Sequence, residues 1–341
     1  MNTASLSRTT RRSPLACAAA LVLASLVLLL LGIAVGSTGF DSLQSLRSDP
    51  QAMLIVVDIR LPRTVGAWLA GGLLGLSGAV AQGLFRNPLA DPYLLGSASG
   101  ASLAVALAMA VFGVSPFASA WLARLGLTGA AFLGAVAAVL LTLLLAKGVQ
   151  HTLRLLLAGV VVGVVLGALT SVVLMFSPDI MQAMQSFMLG TTSFVGWAAC
   201  GVMAFALCVC LSTAWALSHV LDGLALGEAT AQSLGLRLPL VRAALVAVLA
   251  LACGTAVAQT GLIAFVGLAA PHLVRSVIQS THRPLVVLSS LAGAVLLAAA
   301  DILSRALIAP QELPVGVLTA VLGGGYLLWL MHRRTTTGSA P

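Results

Sequence analysis

The sequence has 341 residues, of which 60% are hydrophobic and only 8% are charged, with 17 Lys and Arg against nine Asp and Glu. About a quarter of the residues in a soluble globular domain are charged, so this composition excludes such a domain, and it also excludes disordered and collagen-like chains. At about 20 residues a span, the apolar content predicts about ten membrane helices. The formal net charge of +8 comes from basic residues that stand mostly in short connections, so we expect lipid contacts and no nucleic-acid partner.

Apolar runs broken by Gly, Pro and charged residues predict the helices in chain order. Their ranges are 14–36, 62–83, 93–113, 126–146, 153–176, 196–218, 241–260, 262–280, 285–307 and 314–331. The runs are continuously apolar, which favours helices over the alternating strands of a membrane barrel. The first run is longer than a cleavable signal segment of about 7 to 15 apolar residues, so we expect a retained helix despite the twin arginines Arg11 and Arg12.

The distribution of Lys and Arg predicts the orientation, because cytoplasmic loops carry their excess. With ten spans and both termini in the cytoplasm, twelve basic residues lie inside and five outside. The five outside are Arg47, Arg60, Arg63, Arg124 and Arg305. The opposite placement would invert this bias, so we expect cytoplasmic termini.

Two segments in different halves of the chain resemble each other. LPRTVGAWLAGGLLGLSGAVAQG begins at Leu61, and LPLVRAALVAVLALACGTAVAQTG begins at Leu238, 177 residues later. They fall in the second and seventh predicted spans, so an offset of five helices makes them cross the membrane in opposite directions. This predicts one all-α permease domain over residues 1–341, with inverted repeats at about 14–176 and 196–331, the design of alternating-access transporters.

The sequence lacks the common catalytic motifs. The one lysine, Lys147, follows Ala146, so there is no phosphate-binding GxxxxGK[ST] loop, and HExxH is missing. GSASG at Gly96 to Gly100 is out of register for a nucleophile elbow. The five cysteines lack the paired spacing of a metal or redox site, so we predict no metal, no cofactor and no catalytic residue. Among function classes, an ion-coupled secondary transporter and an intramembrane enzyme stay open at this point.

Three long motifs carry a family resemblance. They are DIRLPRTVGAWLAGGLLGLSGAVAQGLFRNPLADPYLLGSASGAS from Asp58, GLIAFVGLAAPHLVR from Gly261 and ADILSRALIAPQELPVGVLTAVLG from Ala300. The chain resembles the FecCD-type permeases of ABC importers, which bring in ferric siderophores, haem and vitamin B12. The resemblance implies a type II importer fold of ten helices in the bacterial inner membrane. GGGYLLWLM after Leu322 departs from the family pattern, so the last span is expected to bend differently.

The resemblance also implies roles for residues at the outer face. Arg60, Arg63 and Arg305 match arginines that, in the vitamin B12 importer of this group, face acidic residues of the periplasmic binding protein. Such a basic rim would steer an acidic partner. For Arg305 a pair with Asp301 at i, i+4 is the structural alternative. A structural turn after the second span is expected at Asn87, Pro88, Asp91 and Pro92.

Two cytoplasmic loops complete the implied machinery. The polar loop 221–242 can form two short helices and matches the element that couples to a separate ATPase. Its candidate residues are Leu224, Leu226, Gly227, Glu228, Ala231, Leu234 and Gly235. The loop between spans four and five matches an inner gate, with candidates Gln150, His151, Thr152 and Leu153.

The resemblance therefore implies a non-enzymatic transport subunit that forms a homodimer. Two copies of a separate ATP-binding subunit would drive it, and a periplasmic substrate-binding protein would deliver the cargo. The cargo would be an iron chelate such as a siderophore, haem or cobalamin, and no residue of the sequence selects among these.

Overall fold

The computed structural model describes residues 13–36, 39–40, 50–113, 121–146, 152–233, 235 and 238–337. Helices dominate this part of the chain, and the two-residue strands β1 (Val35–Gly36) and β2 (Gly39–Phe40) form a small antiparallel pair. The helices are α1 (Pro14–Ala34), α2 (Pro50–Ile55), α3 (Leu61–Phe85), α4 (Ser97–Phe112), α5 (Trp121–Leu145), α6 (Thr152–Phe176), α7 (Met181–Leu189), α8 (Trp197–Ala216), α9 (Ser218–Ala225), α10 (Glu228–Ser233), α11 (Leu238–Thr260), α12 (Val266–Val277), α13 (His282–Ala306) and α14 (Val315–Thr337).

Helix α3 is the central element, buried along nearly its whole length. It packs against α13, α11, α12, α8 and α1. A π-helical turn, Val56–Arg60, joins α2 to α3, and the Leu61 N–H bonds to the Val56 carbonyl. Pro62 follows directly, and it lacks the N–H that a regular helix would use at this point. The π-helical turn, which is wider than an α-helical one, therefore lets the helix continue without interruption from α2 through Leu61, Pro62 and Arg63.

Glycines allow α3 and α13 to touch along their backbones. A Cβ added at Gly71 or Gly75 would collide with the carbonyl of Gly293 or Ser289 on α13. A second close contact joins Gly78 to the Gly267 carbonyl of α12. Small residues at a helix interface permit this approach, and in lipid such packing is a main source of helix association.

A second group of helices, α4 with α5 and α6, lies beside the α3 group and meets it through α11. Gly100 of α4 and Gly134 of α5 meet backbone to backbone. Gly159 of α6 packs against the Leu94 carbonyl. Thr142 Oγ1 donates to the Leu95 carbonyl at 3.0 Å, which holds α5 against the turn that precedes α4.

Each predicted apolar run contains a helix, but the lengths differ from the predictions. Within the described ranges, seven helices are long and apolar enough to cross a membrane. Helix α12 has 12 residues where the eighth span was predicted over 262–280, which gives a rise of about 18 Å against a hydrocarbon core of about 30 Å. Helix α7 was not predicted, because MQAMQSFML is short and mixes polar with apolar residues. Helix α14 runs without a break through Gly323–Gly325, where a different bend was expected.

Candidate functional site

At the start of α3, a buried ionic cluster surrounds Asp301. Arg63 Nε donates to Asp301 Oδ1 at 3.1 Å, and Arg305 Nη2 pairs with Asp301 Oδ2 one helical turn along α13. Thr192 Oγ1 donates to the same carboxylate. Asp301 is completely buried and Arg305 is 1% exposed. The i, i+4 pair considered from the sequence is therefore present, and it belongs to a larger network.

Further arginine contacts connect this cluster to the end of α1 and to Val35, which follows it. Arg305 Nη1 donates to the carbonyls of Gly32 and Val35, each at 3.3 Å. Arg60 Nη1 donates to the Ile33 carbonyl at 3.3 Å. Because α1 ends here with carbonyls that lack helical partners, the guanidinium groups satisfy them. Arg60, Arg63 and Arg305, the three predicted docking residues, are thus all buried within this chain.

Glu312 forms the outer edge of the cluster. It lies in the connection between α13 and α14, and Arg63 Nη1 donates to both of its carboxylate oxygens at 2.9 Å. Ser193 Oγ donates to Glu312 Oε2 at 3.1 Å. The Glu312 side chain is 24% exposed, so it stands between Arg63 and the surface.

A second polar network lies at the opposite end of α3, about 38 Å away along a 25-residue helix. Glu228 Oε1, at the start of α10, is 2.6 Å from Arg242 Nη2 of α11 and 3.6 Å from Arg86 Nη2, just after α3. Asp222 of α9 accepts from the His282 backbone N–H at 2.9 Å, and its Oδ1 lies 2.7 Å from the ring Nδ1. These pairs fasten the predicted coupling loop to three helices.

The predicted coupling residues divide into buried and exposed positions. Leu224 and Ala231 are buried and hold the short helices against the bundle, whereas Leu226 is 69% exposed. Gly227 and Gly235 have φ of 109° and 77°, a region that glycine enters without strain. Leu234 lies outside the described residues. An open groove of about 770 Å³ runs beside Leu226, between α9 and the start of α13.

The predicted gate is described only in part, because Gln150 and His151 lie outside the described residues. Thr152 is the first residue of α6, and the next residue, Leu153, is 70% exposed.

Further along the chain, His272 packs edge-on against Tyr326 at 5.9 Å between ring centroids. Within the described part, no group of three His, Cys, Asp or Glu residues is arranged to hold a metal ion.

The turn after α3 is held by its own side chains. Asn87 Oδ1 accepts from the Leu89 N–H at 2.9 Å, and Asp91 Oδ1 accepts from the Tyr93 N–H at 2.8 Å. Pro88 lies between these capping residues, and Pro92 begins the 3-10 turn Pro92–Leu95. Burial raises the pKa of the Asp91 carboxyl, and the Tyr93 N–H opposes that shift by favouring the carboxylate.

Several network members were missed by the sequence reasoning. They are Thr192, Ser193, Glu312, Arg86, Arg242, Asp222 and His282. Arg63 and Glu312 are 249 residues apart, and no periodic pattern relates them. The signal in the sequence that could have pointed to them is the small number of acidic and His residues, because each such residue in so apolar a chain needs a polar partner.

Comparisons with known proteins agree with this architecture. The model of the FecCD transport family matches residues 20–333. The hemin transport system permease protein HmuU of Yersinia pestis is 37% identical over 326 residues, which cover 92% of this chain and 96% of that protein. The ferric enterobactin permease FepD of Escherichia coli K12 is 40% identical, covering 84% of each chain. A vitamin B12 import system permease, BtuC of Escherichia coli, is 39% identical over 83% of this chain and 85% of that protein.

A solved structure gives the same result for the fold. A metal-chelate type ABC transporter in an inward-facing conformation superposes with a TM-score of 0.83 at 26% identity, covering 94% of this chain and all of that one. The protein is therefore a helical membrane permease of the ABC importer class. It belongs to the FecCD transport family, as the sequence motifs indicated, and is a multi-pass protein of the bacterial inner membrane.

Proposed function

We propose that this permease moves an iron chelate, haem or cobalamin from periplasm to cytoplasm by alternating access. The observation that carries the proposal is the match of nearly the whole chain to permeases named for hemin, ferric enterobactin and vitamin B12. A wide and mostly neutral path suits such bulky cargo. The low charge content of the chain agrees with this expectation.

We further propose ten spans in two inverted repeats, with both termini in the cytoplasm and a path along a homodimer interface. The similarity between the segments at Leu61 and Leu238 supports the repeats. The apolar exposed face of α6 supports a further helical or lipid contact, since Val160, Val164 and Met175 are each more than half exposed. In this arrangement α12 is a short eighth segment, and the non-helical residues Leu262 to Ala264 precede it.

A separate ATP-binding subunit would act at the coupling loop. Leu226 and Glu228 lie at its surface, and the Glu228 contacts reach α11 and the end of α3. Movement of α10 would therefore be passed directly to two bundle helices. Leu224 and Ala231 would contribute by keeping the loop folded, and the inner gate would lie just before α6.

The substrate-binding protein would dock at the opposite face, near the buried ionic cluster. Arg60 and Arg305 bind carbonyls at the end of α1, so they would contribute to docking indirectly, by fixing the position of that end of the helix at the docking face. Arg63 is bound to the partly exposed Glu312 and would be the arginine that meets a partner's acidic side chain. The long-range attraction of the basic cluster would act mainly on the rate of association.

An ion-coupled carrier is disfavoured by the state of the buried acid. Such carriers usually place acidic residues where an ion can reach them, whereas Asp301 is fully buried and paired with Arg63 and Arg305. Uptake into vesicles driven by an ion gradient without ATP would favour that alternative.

The deciding experiment reconstitutes the permease with its ATP-binding subunit and the substrate-binding protein of the same importer. A ferric siderophore, haem and cobalamin are each added, and ATP hydrolysis is measured. We expect one cargo class to stimulate hydrolysis through its loaded binding protein. Failure of all three classes to stimulate would overturn the proposal.

A further inference from the structure

Glu312 occupies the outward side of Arg63 in the way an external carboxylate would. Arg63 directs Nε inward to Asp301 at 3.1 Å and Nη1 outward to both oxygens of Glu312 at 2.9 Å. The arginine is buried behind Glu312, whose own side chain is 24% exposed. An acidic side chain that approaches from outside therefore meets Glu312 before it can meet the guanidinium.

The segment that carries Glu312 is exposed and lightly anchored. The residues from Leu307 to Gln311 are exposed, and a backbone bond from the Leu313 N–H to the Ser304 carbonyl, at 3.1 Å, ties the segment to α13. Ser193 Oγ adds one side-chain bond to Glu312. Segments with exposed backbone and few buried contacts open at low free-energy cost. Glu312 can therefore leave Arg63 without unfolding a helix.

Charge balance favours an exchange over a simple addition. The cluster holds three arginines and two carboxylates, and Arg63 already has a carboxylate on each side. A third carboxylate beside Glu312 would meet like-charge repulsion. If Glu312 moves into solvent as the new carboxylate arrives, the number of charged hydrogen bonds on Arg63 is conserved.

We propose that Glu312 is an internal competitor that occupies Arg63 until an acidic side chain of the substrate-binding protein replaces it. The contact is autoinhibitory, because docking must first break the Arg63–Glu312 pair. This inference rests on the proposed function, and in particular on docking at the face where Glu312 lies.

The test measures docking of the substrate-binding protein of the same importer to the permease assembled with its ATP-binding subunit in lipid nanodiscs. Glu312→Gln keeps the shape and an acceptor for Ser193 but loses the charge. We expect docking about tenfold tighter, since a charge-assisted hydrogen bond is about twice as strong as a neutral one. Equal affinity of Glu312→Gln and the unchanged protein would overturn the inference.

A double variant separates exchange from a general change of charge. Glu312→Gln with Gln311→Glu restores the net charge of the segment on an exposed neighbour, while Arg63 loses the Glu312 carboxylate and keeps Asp301. Tighter docking should persist in the double variant. Its return to the affinity of the unchanged protein would assign the gain to long-range attraction and overturn the inference.

A third variant decides the question should Glu312→Gln fail to fold. Ser193→Ala keeps every charge and removes one bond to Glu312, so we expect docking about two- to fivefold tighter. No gain in this variant would overturn the inference. Absence of docking by the unchanged protein is a different result, since it would overturn the proposed docking face itself.

Discussion

Glu228 Oε1 lies 2.6 Å from Arg242 Nη2, and this pair joins the first turn of α10 to α11. The Arg242 side chain is 5% exposed, whereas that of Glu228 is 33% exposed. The arginine is therefore the member that depends on the pair, because it has little access to water. The same carboxylate also lies 3.6 Å from the more exposed Arg86.

Glu228→Gln is expected to destabilise the protein by about 2 kcal/mol, because it removes the negative charge that lies 2.6 Å from the buried Arg242 guanidinium. Arg86→Gln is the matched control and should cost less than about 1 kcal/mol, since that contact is long and solvated. Thermal unfolding of both variants in the same detergent measures the difference. An equal loss in the two variants would contradict the assigned role of Arg242.

Asp301→Asn should be among the most damaging single substitutions, at about 3–5 kcal/mol. It keeps the shape of the side chain but leaves Arg63 and Arg305 without the carboxylate they share. Asp179→Asn, at an exposed position, serves as the control and should leave the unfolding temperature nearly unchanged. Similar unfolding temperatures for the two variants would show that the ionic cluster does not stabilise the fold.

Gly323→Ala is expected to destabilise α14, although alanine favours helices. The added Cβ would lie 2.5 Å from Phe265 Cβ, and Phe265 has a φ of 70°, so its backbone has little freedom to retreat. Gly325→Ala meets no atom within 4 Å and should be neutral or stabilising by up to about 1 kcal/mol. Thermal unfolding compares them, and a stabilising Gly323→Ala would refute the contact.

Asp91 gives a prediction with a defined pH dependence. Its raised pKa means that the folded protein keeps the proton to higher pH than the unfolded chain, whose reference pKa is 3.8. The charged form therefore costs stability as pH rises above about 4. Asp91→Asn keeps the cap on Tyr93 without this cost and should gain stability relative to the unchanged protein between pH 4.5 and 7.

Asp91→Ala is the companion variant, and it should be about 1 kcal/mol less stable than Asp91→Asn at every pH in this interval, because it lacks the cap on Tyr93. Unfolding temperatures recorded across the interval distinguish the two effects. A stability difference between Asp91→Asn and the unchanged protein that shrinks as pH rises would contradict the sign of the shift.

The inverted repeats predict opposite membrane sides for Asp58 and Leu226, both exposed. Single cysteines are introduced as Asp58→Cys and Leu226→Cys in a background without Cys17 and Cys208. Asp58→Cys should react with a membrane-impermeant maleimide added from the periplasmic side, whereas Leu226→Cys should react only after lysis. The remaining cysteines are buried. Labelling of both positions in intact spheroplasts would break the inverted arrangement.

The sequence was informative wherever the governing physics is local. Continuous apolar runs located a helix in every predicted region, because a chain in lipid must satisfy its backbone hydrogen bonds within each segment. The Asp301–Arg305 pair could also be anticipated, since residues four apart share a helix face. Motif similarity led to the family, which the matches to residues 20–333 confirmed.

Only the tertiary structure decided which of these residues remain available to partners. Arg60, Arg63 and Arg305 read as a basic outer rim, yet the fold buries them among the carbonyls of α1, Asp301 and Glu312. Arg63 meets Glu312 across 249 residues and Asp222 meets His282 across 60, separations at which no helical period carries information. Hydropathy determines that a segment enters the membrane, whereas side-chain partners depend on how helices distant in sequence pack against one another.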